Sequence, residues 1–447
     1  MAGRLHRSLL AASAWRRDII GVGHTPRPLS TGGAAPLIAP RLPEVDNVSA
    51  RRDDLLGDGK WPDAEVLRYG GLVSAAYDAF DKKTDASRCV GRRLLPGHGS
   101  GGYVATVSLY STVDIVPGMT RDDRRHWIGY VAVAAERDHA GYRDIAVVWR
   151  GTEGWREMIK DFEAKLVAIH GGDGEESVPV DGKRSARNQV LDELRRRATT
   201  LSHGGAPVTR AALDATTVQV AYGFDSLYTA SCATCDRHGK LSAKRQVLDE
   251  LRRLVEHFRE KHPGEKIRVT ATGHSLGGAL ALLAAPDVAQ ELSGAGVPVS
   301  AVTFGAPLVG NRAFCELLTS CGVRVLRVVT GRDIVPTLPP ESMGYVHAGE
   351  ELKLDAPLSL TNILGIFHRL GIYLDLLRVR VGETSSDAGM FRWDAGMFRW
   401  DKGDCDSEKP APEPDTIDLP LKLSKLDEMI FSEKEMMSPR PRMDMAL

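Results

Sequence analysis

The chain has 447 residues, 43% hydrophobic and 26% charged, which is the composition of an ordinary globular protein with room for one large core or two to three domains. Its net charge of −1 gives no electrostatic support for a nucleic-acid partner. It has no run of about eighteen apolar residues of the kind a membrane-spanning helix needs.

In chain order, the first residues, "MAGRLHRSLLAASAWRR", carry Arg4, Arg7, Arg16 and Arg17 with no acidic residue before Asp18. Leu5, Leu9, Leu10 and Trp15 can share one face of a short helix, so this Arg-, Ser- and Ala-rich start resembles an organellar transit peptide. Gly and Pro are frequent up to about residue 55, and residues 1–55 are set apart as an N-terminal extension. The globular part, residues 56–382, opens with "AEVLRYGGLVSAAYDAF", whose apolar residues recur at helical spacing. Strands are predicted at "IGYVAVAAE", "IAVVWRGT", "KIRVTAT", "VSAVTFG" and "VRVLRVVTG", with helices such as "GGALALLAAPDVAQEL" between them. Continuously apolar strands alternating with helices predict a mainly parallel α/β sheet covered on both faces.

Two repeats interrupt this pattern. "SARNQVLDELRRR" (185–197) is echoed by "SAKRQVLDELRRL" (242–254), both reading as amphipathic helices. "DAGMFRWDAGMFRW" (387–400) is a perfect tandem heptad in what reads as a C-terminal tail, residues 383–447, mobile from Asp401 onward. Six scattered cysteines include one isolated CxxC, Cys232 and Cys235. They are expected to be reduced thiols, and no metal site or cofactor is expected.

The chemistry centres on "KIRVTATGHSLGGALALLAA" (266–285). A G-x-S-x-G pentapeptide is weak alone, but here a β-branched run ends at it and an Ala/Leu-rich helix starts after it, the order a nucleophile elbow requires. Gly273 and Gly277 leave room for the sharp turn, and Gly278 lets the helix pack close to the sheet. Ser275 is thereby lifted to a helix N-terminus that favours developing negative charge.

A serine hydroxyl needs a base and an orienting carboxylate, expected in the order Ser, Asp or Glu, His. Asp333 lies in the loop just after the strand in "VRVLRVVTGRDIVP", the strand end at which such sheets build their sites. Two histidines follow it. His347 falls in a short alternating segment that reads as a strand, whereas His368 sits between a loop-like stretch and an apolar helix and is the favoured base. His274 is expected to point away from the nucleophile. "EGWREMIKDF" spaces Trp155, Met158, Ile159 and Phe162 among charges, a pattern that fits a lid over the site or an ordinary core helix.

The ordered words "RYGGLVSAAYDAFD", "IAVVWRGT", "VTATGHSLGGALALLAA", "VTFGAPLVGN", "VVTGRDIVPTLPP" and "FHRLGIYLDLL" make the chain similar to the plant class 3 lipases of the phospholipase A1 group, within the wider superfamily of the fungal triacylglycerol lipases. The resemblance implies an α/β-hydrolase fold with a lid segment and a Ser275–Asp333–His368 triad. It also implies an oxyanion hole formed by the backbone N–H groups of Thr152 and Leu276. The implied activity is hydrolysis of the sn-1 acyl ester of membrane glycerolipids, with phospholipids, plastid galactolipids or triacylglycerol as substrates and peripheral contact with a lipid surface. The expected compartment is the chloroplast, with the mitochondrion as alternative, or the cytoplasm if the N-terminus is not a transit peptide. A lipase-like regulatory scaffold without hydrolysis, or an esterase for soluble esters, are the competing readings.

Overall fold

The computed structural model describes residues 60–80, 90–96, 102–111, 127–152, 164–169, 217–231, 241–355, 367–382, 398–400 and 420–431. All lie in one compact unit, Asn47–Leu447. The N-terminal extension, the lid candidates Trp155, Met158, Ile159 and Phe162, the first copy of the duplicated helix and the Cys232–Cys235 pair lie outside the described residues.

Helix α1 (Asp63–Phe80) is followed by strands β1 (Arg93–Pro96), β2 (Tyr103–Tyr110), β3 (Trp127–Arg137) and β4 (Tyr142–Trp149). A small pair, β5 (Leu166–Ala168) and β6 (Gln219–Ala221), leads into α2 (Tyr222–Thr229) and α3 (Ala243–Lys261). Then come β7 (Lys266–His274), α4 (Leu276–Glu291), β8 (Val299–Phe304), α5 (Arg312–Ser320), β9 (Arg324–Thr330) and β10 (Glu350–Leu354). The chain closes with α6 (Leu370–Arg380), β11 (Phe398–Trp400) and α7 (Leu423–Ile430). No described helix is long and apolar enough to cross a membrane.

The described strands form one nine-stranded sheet in the order β10-β9-β8-β7-β4-β3-β2-β1-β11. The half from β4 to β10 is parallel, and β4, β3, β2, β1 and β11 are joined antiparallel. Alternate residues of each strand serve opposite faces. Val131, Val133, Ile145 and Val147 join the layer under α2, α3, α4, α5 and α7. Tyr130, Ala132, Ala146 and Val148 join the layer under α1 and α6. This is the α/β-hydrolase arrangement expected from the sequence, with its central strands largely apolar because both faces are covered. α4 is buried along nearly its whole length, which explains its Leu/Ala composition. α3, the second copy of the duplicated helix, is amphipathic, and Ser242 caps it by accepting from Arg245 N–H at 3.2 Å.

Two expectations change. The predicted strand around His347 is reduced to a single bridge at Val346, and the regular strand starts at Glu350. The stretch from Asp401 was expected to be mobile, yet Leu421, Leu426, Ile430 and Phe431 are buried against the sheet layer. Their apolar side chains repeat at the helical spacing of α7, and Leu421 N–H donates to Thr106 O of β2 at 2.7 Å.

Candidate active site

The parallel register sets the site. Trp149 of β4 is opposite Gly273 of β7, His274 opposite Phe304 of β8, and Phe304 opposite Val328 of β9. The four strands therefore end side by side, and the loops carrying Thr152, Ser275, Gly305 and Asp333 leave the sheet at one edge.

Ser275 is the one non-glycine among the described residues with positive φ, at 57°, and it caps α4. An L-residue there is strained by about 1–3 kcal/mol. The turn persists because both sides are locked. Ser275 N–H donates to Phe304 O at 3.0 Å, and Gly278 N–H closes on Ser275 O at 2.9 Å. A Cβ on Gly277 would lie 2.4 Å from Trp149 O, and one on Gly273 2.3 Å from Gly277 O, so both glycines are required by close backbone approach.

Ser275 Oγ lies 2.8 Å from His368 Nε2, and His368 Nδ1 lies 2.8 Å from Asp333 Oδ2. The carboxylate can only accept, so Nδ1 carries the proton and Nε2 is left to accept from the serine hydroxyl. Asp333 is held in turn by Val335 N–H at Oδ1, 2.9 Å, and by Tyr373 O–H at Oδ2, 2.6 Å. Burial, followed by the Asp333 charge, raises the Tyr373 pKa well above its ordinary value, so the phenol remains a donor. Gly305 makes space for this carboxylate, since its φ is +54° and a Cβ would stand 2.9 Å from Asp333 Oδ2.

His274 has partners other than the serine hydroxyl. Its Nε2 lies 2.7 Å from the backbone O of His368 and its Nδ1 2.8 Å from Tyr77 O–H. A carbonyl only accepts, so Nε2 donates and Nδ1 accepts from Tyr77. Burial, then the proximity of His368, pushes the His274 pKa well below 6.5, which keeps this ring neutral. His274 thus ties the loop of His368 to α1 without adding a charge beside it. His274→Ala is expected to lower kcat about tenfold while KM changes little, because a misplaced base costs rate rather than binding. A KM increase with unchanged kcat would show that His274 serves substrate binding instead.

Thr152 follows the end of β4, where the Trp149 and Arg150 backbone lies against Gly277, and Leu276 directly follows Ser275. Arg150, buried, donates to Trp127 O at 3.3 and 3.2 Å and to Gly151 O at 3.1 Å, which fixes the chain entering Thr152. Leu276 is the first residue of α4, so its N–H has no intrahelical carbonyl to reach. A donor at a helix N-terminus suits an oxyanion. Ser275 has 0% exposure and His368 3%, so the triad is closed to solvent. His347, half-buried, lies on the loop before β10 and takes no part in the hydrogen bonds that join the triad.

Sequence reasoning missed the supports, Tyr373 and His274 with Tyr77. The one signal was spacing: Tyr373 follows His368 by five residues, across the start of an apolar helix.

A family model described as lipase (class 3) matches residues 146–343. The chain is similar to phospholipase A1 EG1, chloroplastic/mitochondrial, of Oryza sativa subsp. indica, at 34% identity over 70% of this chain and 68% of that protein. It is similar to phospholipase A1-Igamma1, chloroplastic, of Arabidopsis thaliana, at 34% identity over 70% of this chain and 62% of that protein, so it spans less than two thirds of the latter's length. Among solved structures, the native Rhizomucor miehei lipase propeptide complex matches 65% of this chain and 68% of its own at 24% identity and a TM-score of 0.36.

Proposed function

The chain belongs to the class 3 lipase family, alongside the plant phospholipases A1, and from that premise we propose that it is a serine acyl hydrolase cleaving the sn-1 ester of membrane glycerolipids. The hydrogen-bonded line from Ser275 through His368 to Asp333 is the observation that carries this reading. His368 Nε2 takes the hydroxyl proton as Ser275 Oγ attacks the acyl carbonyl carbon. The oxyanion accepts from the N–H groups of Thr152 and Leu276, and each such donor contributes about 3–4 kcal/mol to transition-state stabilisation. Collapse breaks the ester C–O bond, and His368 returns the proton to the departing lysolipid oxygen. Water, deprotonated by the same imidazole, then releases the fatty acid and restores Ser275. Asp333 stabilises the imidazolium throughout, held in place by Tyr373. These steps need no metal or cofactor.

The closed triad favours a surface-activated lipase over a soluble-ester esterase. With Ser275 at 0% exposure, an ester reaches it only after covering groups move. A lid of Trp155, Met158, Ile159 and Phe162 would expose apolar area on opening, costing about 25 cal/mol per Å² in water, and a lipid surface removes that cost. The test is hydrolysis of phosphatidylcholine, galactolipid and triacylglycerol carrying distinguishable sn-1 and sn-2 chains, followed across the aggregation threshold. The expected result is sn-1 release with an upturn at the threshold, weakened by replacing Met158 and Ile159 with serine while a short-chain ester is still cleaved. Smooth saturation without an upturn overturns the lid, and absence of fatty acid from every lipid overturns the lipase reading.

The N-terminal arginines, with no acid before Asp18, support plastid import. A fluorescent fusion to residues 1–55 should enter chloroplasts; a diffuse cytosolic signal removes this assignment.

A further inference from the structure

The second cluster of chemistry lies at the other end of β7. His257, on the buried side of α3, His262, which ends that helix, and Asp427 of α7 bring one ligand atom each within 4.8 Å of one another. Both rings present Nε2 to the same oxygen, Asp427 Oδ1, at 2.8 Å from His257 and 3.1 Å from His262. The ring orientations are set by packing. His262 stacks on Phe431 with centroids 4.1 Å apart, and the Arg143 guanidinium lies 4.8 Å from the same Phe431 ring. His257 meets Phe258 and His262 edge-on, at 5.7 and 5.6 Å.

We propose that His257, His262 and Asp427 form a divalent transition-metal site, fitted to Zn²⁺, that clamps α7 to α3. Two imidazole nitrogens and one carboxylate oxygen are a ligand set for this ion, with water completing a tetrahedron. Mg²⁺ and Ca²⁺ demand six or more oxygens, which this triplet does not offer. Bonds of about 2.0–2.1 Å at tetrahedral angles place neighbouring ligand atoms about 3.3 Å apart. The two N–O edges, at 2.8 and 3.1 Å, therefore open by a few tenths of an ångström, and the N–N edge, no longer than 4.8 Å, closes. Each Nε2 donates to the carboxylate oxygen without the ion, so coordination requires that nitrogen to give up its hydrogen, leaving Nδ1 as the protonated nitrogen of the bound ring.

The role is structural. His262 precedes β7 and Ser275 follows it, so the nine residues of that strand hold the two sites roughly 30 Å apart. The ion would join helices separated by 170 residues in the chain, at the segment whose Leu426, Ile430 and Phe431 complete the core layer.

The test uses the full chain, stripped with a chelator and titrated with Co²⁺ and then Zn²⁺. The expected result is one equivalent of Co²⁺ with the visible d–d bands of a tetrahedral N/O site, displaced by Zn²⁺, and a thermal midpoint raised by Zn²⁺. Asp427→Asn and His262→Gln, which conserve size and a hydrogen-bonding group, should each weaken binding at least about tenfold. Circular dichroism verifies that both variants are folded. Cleavage of a short-chain ester should survive chelation. Absence of stoichiometric binding, binding unchanged in both variants, or a near-ultraviolet thiolate-to-cobalt band assigning the ion to Cys232 and Cys235 would each overturn the proposal.

Discussion

Ser275→Ala is expected to lower ester hydrolysis by about a hundred-thousandfold or more while leaving the fold intact. The size follows from the chemistry, because the substitution removes the hydroxyl that is hydrogen-bonded to His368 Nε2. The preserved fold follows from the backbone. Alanine keeps the same strained φ of 57° that serine already tolerates, and the bonds locking the turn run through the main chain. Only the Oγ contact is lost. Ser275→Gly, equally inactive, should be more stable than the alanine variant by about 1 kcal/mol, since glycine occupies positive φ freely. Labelling with a fluorophosphonate probe and thermal unfolding measure both effects. An alanine variant that still takes the probe would show that another residue is the nucleophile.

His368→Ala should be nearly as severe, and His347→Ala should leave turnover almost untouched. His368 makes both hydrogen bonds of the triad, 2.8 Å to Ser275 and 2.8 Å to Asp333. Its removal leaves Asp333 buried with Tyr373 and Val335 as donors but without the group it orients. His347 makes neither of the triad's hydrogen bonds, and its pKa is lowered from 6.5 first by burial and then by Arg327. Its effect belongs to stability. A histidine whose folded pKa is depressed favours the native state fully at pH above 6.5, and that contribution is lost as pH falls from there toward the folded value. His347→Ala should therefore flatten the acid side of the stability profile while kcat is unchanged. The opposite activity pattern, at equal folded fractions, would reverse the assignment of the base.

The parallel strands were legible because burial on both faces imposes long apolar runs, as in β7, where every residue after Lys266 is buried. The elbow was legible because two backbone approaches under 2.5 Å exclude any side chain at Gly273 and Gly277. Asp333 and His368 could be found from chain order and strand ends. β2 was missed although "YVATVSLY" is rich in β-branched and aromatic residues, because it stands between short polar and Gly-rich stretches. The support of His368 by His274 was not legible, since it depends on which carbonyl a folded loop brings to Nε2. α7 was hidden for a similar reason. Its eight residues are too few to declare themselves inside a charged, Pro-rich tail, and their burial comes from a surface made by α3 and β2.

The far edge of the sheet is finished by the second half of the tandem heptad. Phe398–Trp400 pairs with β1, Trp400 opposite Leu94 and Phe398 opposite Pro96. The same three residues stand seven positions earlier, at 391–393, so the chain holds two identical candidates for one place. Identical sequence means identical intrinsic pairing strength, and a slip of one heptad conserves the residue type at every paired position. A proline in one copy, which removes a ladder donor, leaves the other copy with the same pairing residues intact. An unpaired edge is what invites neighbouring molecules to add strands. The duplication thus supplies the pairing residues of this border twice in the chain, whereas the elbow at Ser275 exists once.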